Sequence, residues 1–410
     1  MEGIRDSLLA HFRIALSMVE VFTTCWVIDH PAHAQALLPF IKEGSTHDLI
    51  IATKRPDVEH LLATSEGVMP RREMLWVERP VGNGVGKIAR LSRARRRFIT
   101  VRQALKARRA GTRHGEQESA HKSGGQIDQI VVIAAPLELR AAKRAGIPRR
   151  LYISDNEGDH FSHRLALGAS TEILLPDSWR GDLDGGFLAK AERKGLGIHR
   201  FSGNKAHVYL RPVTLVEQRE PPVGGAASEA SEAGEAGAAG AAGAAGTAGT
   251  AGTAGAAGEG MAAEAGKRIM VRRLLGGGIH DGEMVEMIEL EKLGLDCEID
   301  EHIEGEKLPE PWSLPNHTLN YDGVLTQSVT LATESASLGV ATLLISSAER
   351  GVFGELLASG VLNICDKVEN QIAEITAWLS DPQQTDCGEW PDTLAQWNSF
   401  IQPTSSETKV

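Results

Sequence analysis

The sequence predicts an α/β protein made of two doubly wound units that are joined by a disordered linker. Short apolar runs alternate with helical patterns in the first half of the chain, and the same plan resumes in the second half. Regular alternation of strands and helices is typical of parallel sheets with crossover helices. A tract of Ala, Gly and Thr lies between the halves. The charge balance also changes there, because residues 1–261 hold 29 acidic and 34 basic side chains and residues 262–410 hold 25 and 9.

The first unit, residues 18–217, starts with the run FTTCWVID, which is β-branched and aromatic and precedes HPAH. It is predicted as a buried strand, because strands favour such side chains and proline interrupts them. The later elements are predicted from apolar runs and helical spacing. In order, they are helix 34–44, strand 48–54, helix 56–67, strand 74–79, strand 129–135, helix 137–146, strand 149–154 and strand 171–176.

The linker is predicted at residues 218–265. A glycine recurs at every third position from Gly234 to Gly258, but the repeat contains no proline and is too short for a collagen triple helix. Its side chains offer little surface to bury, so a flexible tether is expected. The second unit, residues 266–400, is predicted to contain strand 267–275, helix 283–294, strand 296–301, helix 328–339, strand 341–346 and further helices.

Composition restricts the class and the compartment of the protein. The net charge is −11, which disfavours general nucleic-acid binding, and the four cysteines lie far apart without a CxxC pair. No apolar run reaches the ~18 to 20 residues of a membrane span. The first residues are interrupted by Asp6, His11 and Arg13 and lack a signal-peptide core, so Met18 is an alternative start. A cytoplasmic protein is expected.

The motif DHPAH, from Asp29 to His33, directly follows the first predicted strand. Ligands of doubly wound sheets bind beyond the carboxyl ends of the strands. His30 and His33 are therefore candidates for a general base, and Asp29 for the group that orients an imidazole and raises its basicity. HxxH spacing also occurs in metal sites, but no third ligand is evident and no metal is predicted. Alternatively, His30 only caps the following helix, with Pro31 in its first turn.

Acidic residues follow a later strand in SDNEGDHFSHRL, residues 154–165. Asp155, Glu157 and His163 cluster there where a loop enters a helix. Asp155 and Glu157 are predicted to contact the ligand. An acid-rich helix N-terminus without a chemical role is the alternative.

The segment LTQSVTLATESASLG in the second unit is predicted to bind phosphate. Its hydroxyl residues Thr326, Ser328 and Thr330 precede a helix, and the free amides and dipole of a helix N-terminus attract anions. Glu334, about one turn further on, is a candidate acceptor for hydrogen bonds from ribose hydroxyls. A capped core helix is the alternative.

The segment VRRLLGGGIHD, residues 271–281, is a second candidate for anion binding. Arg272 or Arg273 leaves a predicted strand, and a triple-Gly turn leads to His280 and Asp281. Consecutive backbone amides of such a turn form a nest for anions. The segment matches neither GxGxxG nor a P-loop, so it does not by itself identify a nucleotide site.

The segment from Arg71 to Arg109 holds 13 Lys or Arg side chains and two acids, Glu73 and Glu78. Apolar side chains are interleaved with them, so a cationic amphipathic helix is predicted. Such helices lie on anionic membrane surfaces, and peripheral membrane contact is the corresponding hypothesis. Nucleic-acid binding is not predicted, because aromatic residues for stacking are nearly absent. A solvated helix face is the alternative.

Several of these segments together resemble an uncharacterised archaeal and bacterial family, a domain of unknown function that belongs with GT-B glycosyltransferases and UDP-N-acetylglucosamine 2-epimerases. The resemblance starts at VIDHPAH, LLPFIKE and HDLIIATK and continues through GIPRRLYISDNE, HRLALGASTEILLP and FSGNKAHVYL. After the linker it resumes at RIMVRRLL, at the HD and NH pairs, and through SVTLATESASLGVATLLI. It spans most of residues 22–365, and HPAH and ESASLG are its most specific parts.

This resemblance implies a GT-B fold, in which two Rossmann-like domains face a cleft. The C-terminal domain of such enzymes holds a nucleotide-sugar donor, and the N-terminal domain binds the acceptor. Carried over to this chain, Ser328, Thr330 and Glu334 meet the phosphates and ribose of the donor. Arg272 meets its diphosphate, and an imidazole of HPAH acts from the other domain. Such transferases need no bound metal, so a nucleotide sugar is expected as substrate and no bound cofactor is predicted.

The sequence departs from the family pattern at the donor loop, where TQSVT stands in place of a DGGT-like loop. The triple-Gly turn stands where an aromatic residue follows the arginine strand, and the Ala/Gly tract is an insertion. With the resemblance, the leading hypothesis is a nucleotide-sugar-dependent glycosyltransferase. The alternatives are a 2-epimerase-like isomerase or hydrolase, and a non-catalytic adaptor that retains the fold.

Overall fold

The computed structural model describes residues 22–79, 86–111, 126–211, 266–274, 283–293, 297–304, 310–386 and 388–402. Two parallel sheets with helices packed against them form the fold, as the sequence predicts. The strands are β1 (Thr24–Ile28), β2 (Leu49–Lys54), β3 (Glu73–Glu78), β4 (Gln129–Ile133), β5 (Arg149–Ile153), β6 (Glu172–Pro176), β7 (Gly197–Phe201), β8 (Lys267–Arg273), β9 (Cys297–Ile303), β10 (Gly323–Thr326), β11 (Thr342–Ile345) and β12 (Leu362–Cys365). The α-helices are α1 (Pro31–Glu43), α2 (Pro56–Ala63), α3 (Lys87–Gly111), α4 (Pro136–Ala145), α5 (His160–Ala166), α6 (Phe187–Arg193), α7 (Leu314–His317), α8 (Val329–Ser337), α9 (Phe353–Ala358), α10 (Gln371–Ser380) and α11 (Thr393–Ile401).

The first sheet has the strand order β3-β2-β1-β4-β5-β6-β7, and its strand pairs are parallel. The side chains of Cys25 and Val27 pack on one face of β1, and those of Trp26 and Ile28 pack on the other. Both faces are buried, which explains why the first predicted strand is almost continuously apolar. The strand order reverses between β1 and β4.

The helices that follow β1, β2 and β4 each begin with a proline, namely Pro31, Pro56 and Pro136. Proline suits the first turn of a helix because its preset φ is helical and its missing N–H is not needed there. The chain therefore turns sharply from strand to helix, and the residues of these short loops lie at the carboxyl edge of the sheet.

The second sheet has the order β12-β11-β10-β8-β9, and its strand pairs are also parallel. Val271 and Leu325 pack in one core cluster, and Met270 and Val324 pack in another on the opposite face. The strand order reverses between β8 and β10. The prediction of a second doubly wound unit is confirmed.

The last helix, α11, packs on the first sheet although it follows the second unit in the chain. Trp397, Phe400 and Ile401 join the core cluster that contains Phe40, and the rings of Phe40 and Trp397 stack with their centroids 6.3 Å apart. The predicted unit at residues 266–400 therefore contributes its final helix to the core of the first unit.

The prediction of a helix at residues 283–294 is wrong. The segment has no α-helix among its described residues and ends in a short 3-10 turn. Val285 and Met287 are buried at alternate positions. The Ile288 N–H donates to the Gln371 side chain, whose amide in turn donates to a carbonyl of the same segment. Contacts with distant residues therefore override the helix propensity of this Glu-, Met- and Leu-rich sequence.

The cationic segment 71–109 is not one helix, because its first part forms the edge strand β3 and only α3 is helical. Val101 and Leu105 of α3 are buried in the core, so part of its apolar side packs on the sheet. Ile88 and Leu91 remain 88% and 73% exposed. Contact with a membrane surface stays a prediction. Among the helices of the described residues, none has the length and apolar character to span a membrane.

Candidate functional site

The two places where strand order reverses face each other across a cleft of about 300 Å³. On one side, Asp29 and His30 follow β1, and Ala134 follows the neighbouring β4. On the other side, Leu274 follows β8 and Gln327 follows β10. Loops that leave two strands in opposite directions open a crevice, and ligands of doubly wound sheets bind there. This cleft is therefore the candidate active site.

Most of the predicted site residues meet in this cleft. Two of them, Arg272 and Glu157, are not among its described lining residues. His280 and Asp281 lie outside the described residues. The predicted residues that line the cleft are Asp29, His30, His33 and Asp155 from the first domain and Ser328, Thr330 and Glu334 from the second.

His30 caps helix α1, as the alternative hypothesis for this residue predicts. Its Nδ1 accepts a hydrogen bond from the Ala32 N–H at 3.3 Å. An accepting Nδ1 leaves the ring proton on Nε2, which can then only donate. Burial, followed by the charge of Arg55, holds the pKa of His30 well below its usual value. The neutral ring is thus suited to donate a hydrogen bond and poorly suited to remove a proton.

His33 is the better candidate for a base. Its Nδ1 is buried and has no hydrogen-bond partner among the described residues. Burial, and next the charge of Lys205, lower the pKa of His33 to about 3, against the opposing effect of Asp29 and Asp155. The ring is neutral at pH 7 and can accept a proton. A base works best when its pKa lies near the working pH. An anion that offsets the charge of Lys205 raises the pKa of His33 towards that range.

The charge of Asp29 acts to raise the pKa of His30 and of His33, as predicted, but its hydrogen bonds go to other residues, and the orienting role stays a prediction. The Asp29 carboxylate accepts hydrogen bonds from the Thr53 hydroxyl and, at 2.9 Å, from the Arg97 guanidinium. Burial favours the protonated acid, but Arg97 and Thr53 outweigh it and hold the pKa of Asp29 well below its usual range. Arg97 also binds the buried carboxylate of Glu138. Asp29 is the end of an ion-pair network that reaches from the core into the cleft.

Asp155 forms a salt bridge of 2.9 Å with Lys205, and both side chains line the cleft. Burial opposes ionisation of Asp155, but Lys205 outweighs burial and lowers the pKa of Asp155. The carboxylate is therefore ionised and a poor base at neutral pH. Lys205 lies in FSGNKAHVYL, a segment of the family resemblance, but no local motif marks it as a site residue.

The N-terminus of α8 faces the cleft from the second domain. Ser328 is its N-cap, and the Ser328 Oγ accepts a hydrogen bond from the Leu331 N–H at 3.3 Å. Thr330 and Thr333 also line the cleft. The first-turn amides of a helix lack acceptors within the helix, and its dipole attracts anions. The helix is placed as the phosphate prediction requires, and phosphate binding itself stays a prediction.

Glu334 is 4% exposed and accepts a hydrogen bond from the Tyr209 hydroxyl, which belongs to the first domain. Burial raises the pKa of Glu334 to about 7, although the bond from Tyr209 and the charge of Lys205 act in the opposite direction. The carboxylate therefore changes its charge near neutral pH. It can accept hydrogen bonds from ligand hydroxyls when these replace the hydrogen bond from the Tyr209 hydroxyl.

Glu157 lies at a contact between the domains. Its Oε1 accepts hydrogen bonds from the Gly351 N–H at 3.0 Å and from the Arg180 N–H at 3.1 Å. A Cβ at position 351 would lie 1.8 Å from the Ser178 carbonyl oxygen, so this close approach requires glycine. The structure thus places Glu157 at the contact between the domains, and ligand contact by Glu157 stays a prediction. Arg272 lies in β8. Its carbonyl oxygen accepts a hydrogen bond of 3.1 Å from the N–H of Gln327, the residue that follows β10.

Positive charge in the cleft comes mainly from residues that the sequence analysis missed. Arg350 is held by both oxygens of Glu283, and Arg55 is held by both oxygens of Asp57. Arg79 forms no hydrogen bond or ion pair with another described residue and is available to an anion. Of the described residues, no three His, Cys, Asp or Glu side chains are grouped to hold a metal ion. The cationic lining residues are Arg55, Arg79, Lys205 and Arg350.

Solved structures share this two-domain arrangement. MnaA from S. aureus, solved with UDP, has a TM-score of 0.53 at 10% identity, and the alignment covers 92% of this chain and 95% of that one. A putative UDP-N-acetylglucosamine 2-epimerase from Listeria monocytogenes has a TM-score of 0.54 at 11% identity, with 93% and 95% covered. The UDP-GlcNAc 2-epimerase from Neisseria meningitidis, bound to UDP-GlcNAc, has 0.52 at 12%, with 93% and 98% covered.

The chain has a GT-B fold. This confirms the fold that the sequence resemblance implies, with two Rossmann-like domains and a cleft between them. No family model matches the sequence, and no curated protein matches it. The GT-B fold places the N-terminus of α8 and the HPAH loop on opposite sides of one cleft.

Proposed function

We propose that this GT-B protein is a nucleotide-sugar-dependent glycosyltransferase, which transfers a sugar to a hydroxyl group of an acceptor. The observation that carries the proposal is the placement of Ser328 and Glu334 opposite His33 in a single cleft. An anion site and a base on two facing domains are what this reaction needs. Solved proteins of the same fold are bound to UDP and to UDP-GlcNAc, which supports a UDP-sugar as the donor.

The second domain holds the donor in this proposal. Its diphosphate binds the amides at the N-terminus of α8, and its ribose hydroxyls donate to Glu334 in place of Tyr209. Preformed donors and cations stabilise charge that develops in a transition state, because they need no reorganisation when the charge appears. The helix amides, with Arg79 and Arg350, supply this stabilisation to the departing nucleoside diphosphate.

The first domain supplies the base. The acceptor oxygen forms a bond to the anomeric carbon while its proton passes to the His33 imidazole. The bond between the anomeric carbon and the diphosphate oxygen breaks, and the nucleoside diphosphate leaves with the electron pair. The negative donor offsets Lys205, which raises the pKa of His33 from about 3 as the reactants assemble.

Epimerisation at a sugar carbon is the competing reaction. It needs groups that remove and return a proton on both faces of the sugar, and a C–H bond requires a strong base. The cleft carboxylates Asp29 and Asp155 are bound by Arg97 and Lys205, and the pKa of each is lowered. Asp29 and Asp155 are therefore weak bases. The proton acceptors left in the cleft are His33 and Glu334, and Glu334 binds the donor ribose in this proposal, which favours transfer over epimerisation.

The test begins with thermal-shift measurements against UDP-, GDP- and dTDP-sugars, since a ligand at 100 times its Kd adds roughly 2.7 kcal/mol of stability. Glu334→Ala removes charge-assisted hydrogen bonds and is expected to weaken binding by ~1.5 to 3 kcal/mol. Glu355→Ala, at an exposed position of α9, is the matched control.

Products are then analysed by NMR. A transferase releases the nucleoside diphosphate and forms a glycoside, whereas an epimerase changes the configuration of the bound sugar. Absence of binding to every nucleotide sugar contradicts the proposal and favours the non-catalytic adaptor. Release of an epimerised nucleotide sugar contradicts glycosyl transfer.

A further inference from the structure

A second cavity, of about 460 Å³, lies on the first domain. It is formed between the end of the edge strand β3 and helix α3, so none of the second domain's described residues contributes to it. The proposed donor site therefore does not include it. Its described lining residues are Trp76, Val77, Glu78, Arg93, Arg96, Arg97 and Thr100.

Two of the three guanidinium groups in this cavity are not compensated. Arg97 is bound by two carboxylates, one of them that of Asp29. Glu78, the acidic side chain among the described lining residues, binds a lysine of β2 at 3.3 Å. Arg93 and Arg96 form no ion pair or hydrogen bond with another residue in the described part of the chain. The cavity therefore has excess positive charge.

The cavity adjoins the cleft. Arg97 lines the cavity, and 2.9 Å away the Asp29 carboxylate lines the cleft. The chain also passes directly from Glu78 in the cavity to Arg79 in the cleft. An extended molecule can therefore place one group in the cavity and another beside His33.

We propose that this cavity binds a phosphate group of the acceptor while the acceptor hydroxyl lies at His33. Guanidinium groups offer paired N–H donors in a plane and match phosphate oxygens, and two of them, Arg93 and Arg96, match a dianion. The role of the hydroxyl rests on the proposed function, whereas phosphate binding is measurable without turnover. The phosphate belongs to a soluble sugar phosphate or to a lipid headgroup, which share this chemistry.

The test compares the double variant Arg93→Gln/Arg96→Gln with Arg95→Gln/Lys106→Gln. The second variant removes two charges from exposed positions of the same helix that do not line the cavity. Glucose 6-phosphate binding is measured by calorimetry, with glucose as the uncharged reference. Co-sedimentation with phosphatidylglycerol vesicles, against phosphatidylcholine vesicles, tests the headgroup. The Arg93→Gln/Arg96→Gln variant is expected to bind the phosphate probe at least about tenfold more weakly than wild type. The Arg95→Gln/Lys106→Gln variant is expected to bind it as tightly as wild type does.

A soluble acceptor is supported if glucose 6-phosphate binding is lost in Arg93→Gln/Arg96→Gln and kept in Arg95→Gln/Lys106→Gln. Loss of phosphatidylglycerol binding in Arg93→Gln/Arg96→Gln alone supports a headgroup. Equal binding by the two variants, or no binding of either phosphate probe to wild type, overturns the proposal. Nucleotide-sugar binding is measured separately in all three proteins. Its absence from all of them contradicts the proposed function, whereas the phosphate measurement still decides the role of the cavity.

Discussion

The Tyr209 hydroxyl donates a hydrogen bond to the Glu334 carboxylate and so connects the two domains at the cleft. Burial raises the pKa of Glu334 to about 7. The same carboxylate is the predicted acceptor for donor hydroxyls. Glu334 therefore links the ionisation state of the cleft, the contact between the domains and donor binding.

Stability is expected to depend on pH through Glu334. The folded protein keeps this proton up to about pH 7, whereas an exposed glutamate loses it near 4.5. The wild type should therefore lose stability relative to Glu334→Gln as the pH rises from about 4.5 through 7, by roughly 3 kcal/mol in total. Thermal unfolding at pH 4.5 and pH 8 measures the difference. Glu355→Gln is the control, and an equal pH response of the two variants contradicts a raised pKa.

The Asp29–Arg97–Glu138 network is expected to contribute strongly to stability. Replacing Arg97 by Met leaves two carboxylates without their cation, and that of Glu138 is fully buried. Removing one partner of a buried ion pair lowers the free energy of unfolding by ~3 to 5 kcal/mol. Chemical denaturation of Arg97→Met measures the loss, and Arg95→Met, at an exposed position of α3, is the control. Adding Glu138→Gln should restore part of the stability, and no restoration argues against the network.

The sequence predicted most strands of the two sheets, because they are apolar runs bounded by proline and polar residues. It missed β7, which is partly exposed, and the four-residue strands β10 and β12. It also predicted that the HPAH loop and Ser328 lie at the carboxyl ends of parallel strands, where they line the cleft, whereas their roles there stay predictions. It failed at residues 283–294, where Gln371 from a distant helix supplies hydrogen bonds that no local pattern encodes. Lys205 was missed for the same reason, because its importance comes from a salt bridge to Asp155 across 50 residues of chain.

The charge state of His33 is expected to respond to the donor. Its pKa of about 3 arises from burial and from Lys205. A diphosphate near Lys205 offsets that charge, so the pKa of His33 should rise when a nucleotide sugar binds. NMR titration of the ring resonance, with the Lys205→Gln variant for comparison, measures the change. In that variant the pKa in the free protein should already be higher, and an unchanged value contradicts the assigned cause.

Turnover is expected to depend on His33 much more than on His30. Loss of a general base costs ~10²- to 10⁴-fold in rate, so His33→Ala should abolish measurable transfer. Nucleotide-sugar binding should survive, because Ser328 and Glu334 belong to the other domain. His30→Ala removes a helix cap worth about 1 kcal/mol and should lower stability as well as rate, whereas His30→Asn keeps an acceptor for the Ala32 N–H. Rates from product analysis and affinities from calorimetry separate these effects, and transfer at the wild-type rate by His33→Ala shows that the base lies elsewhere.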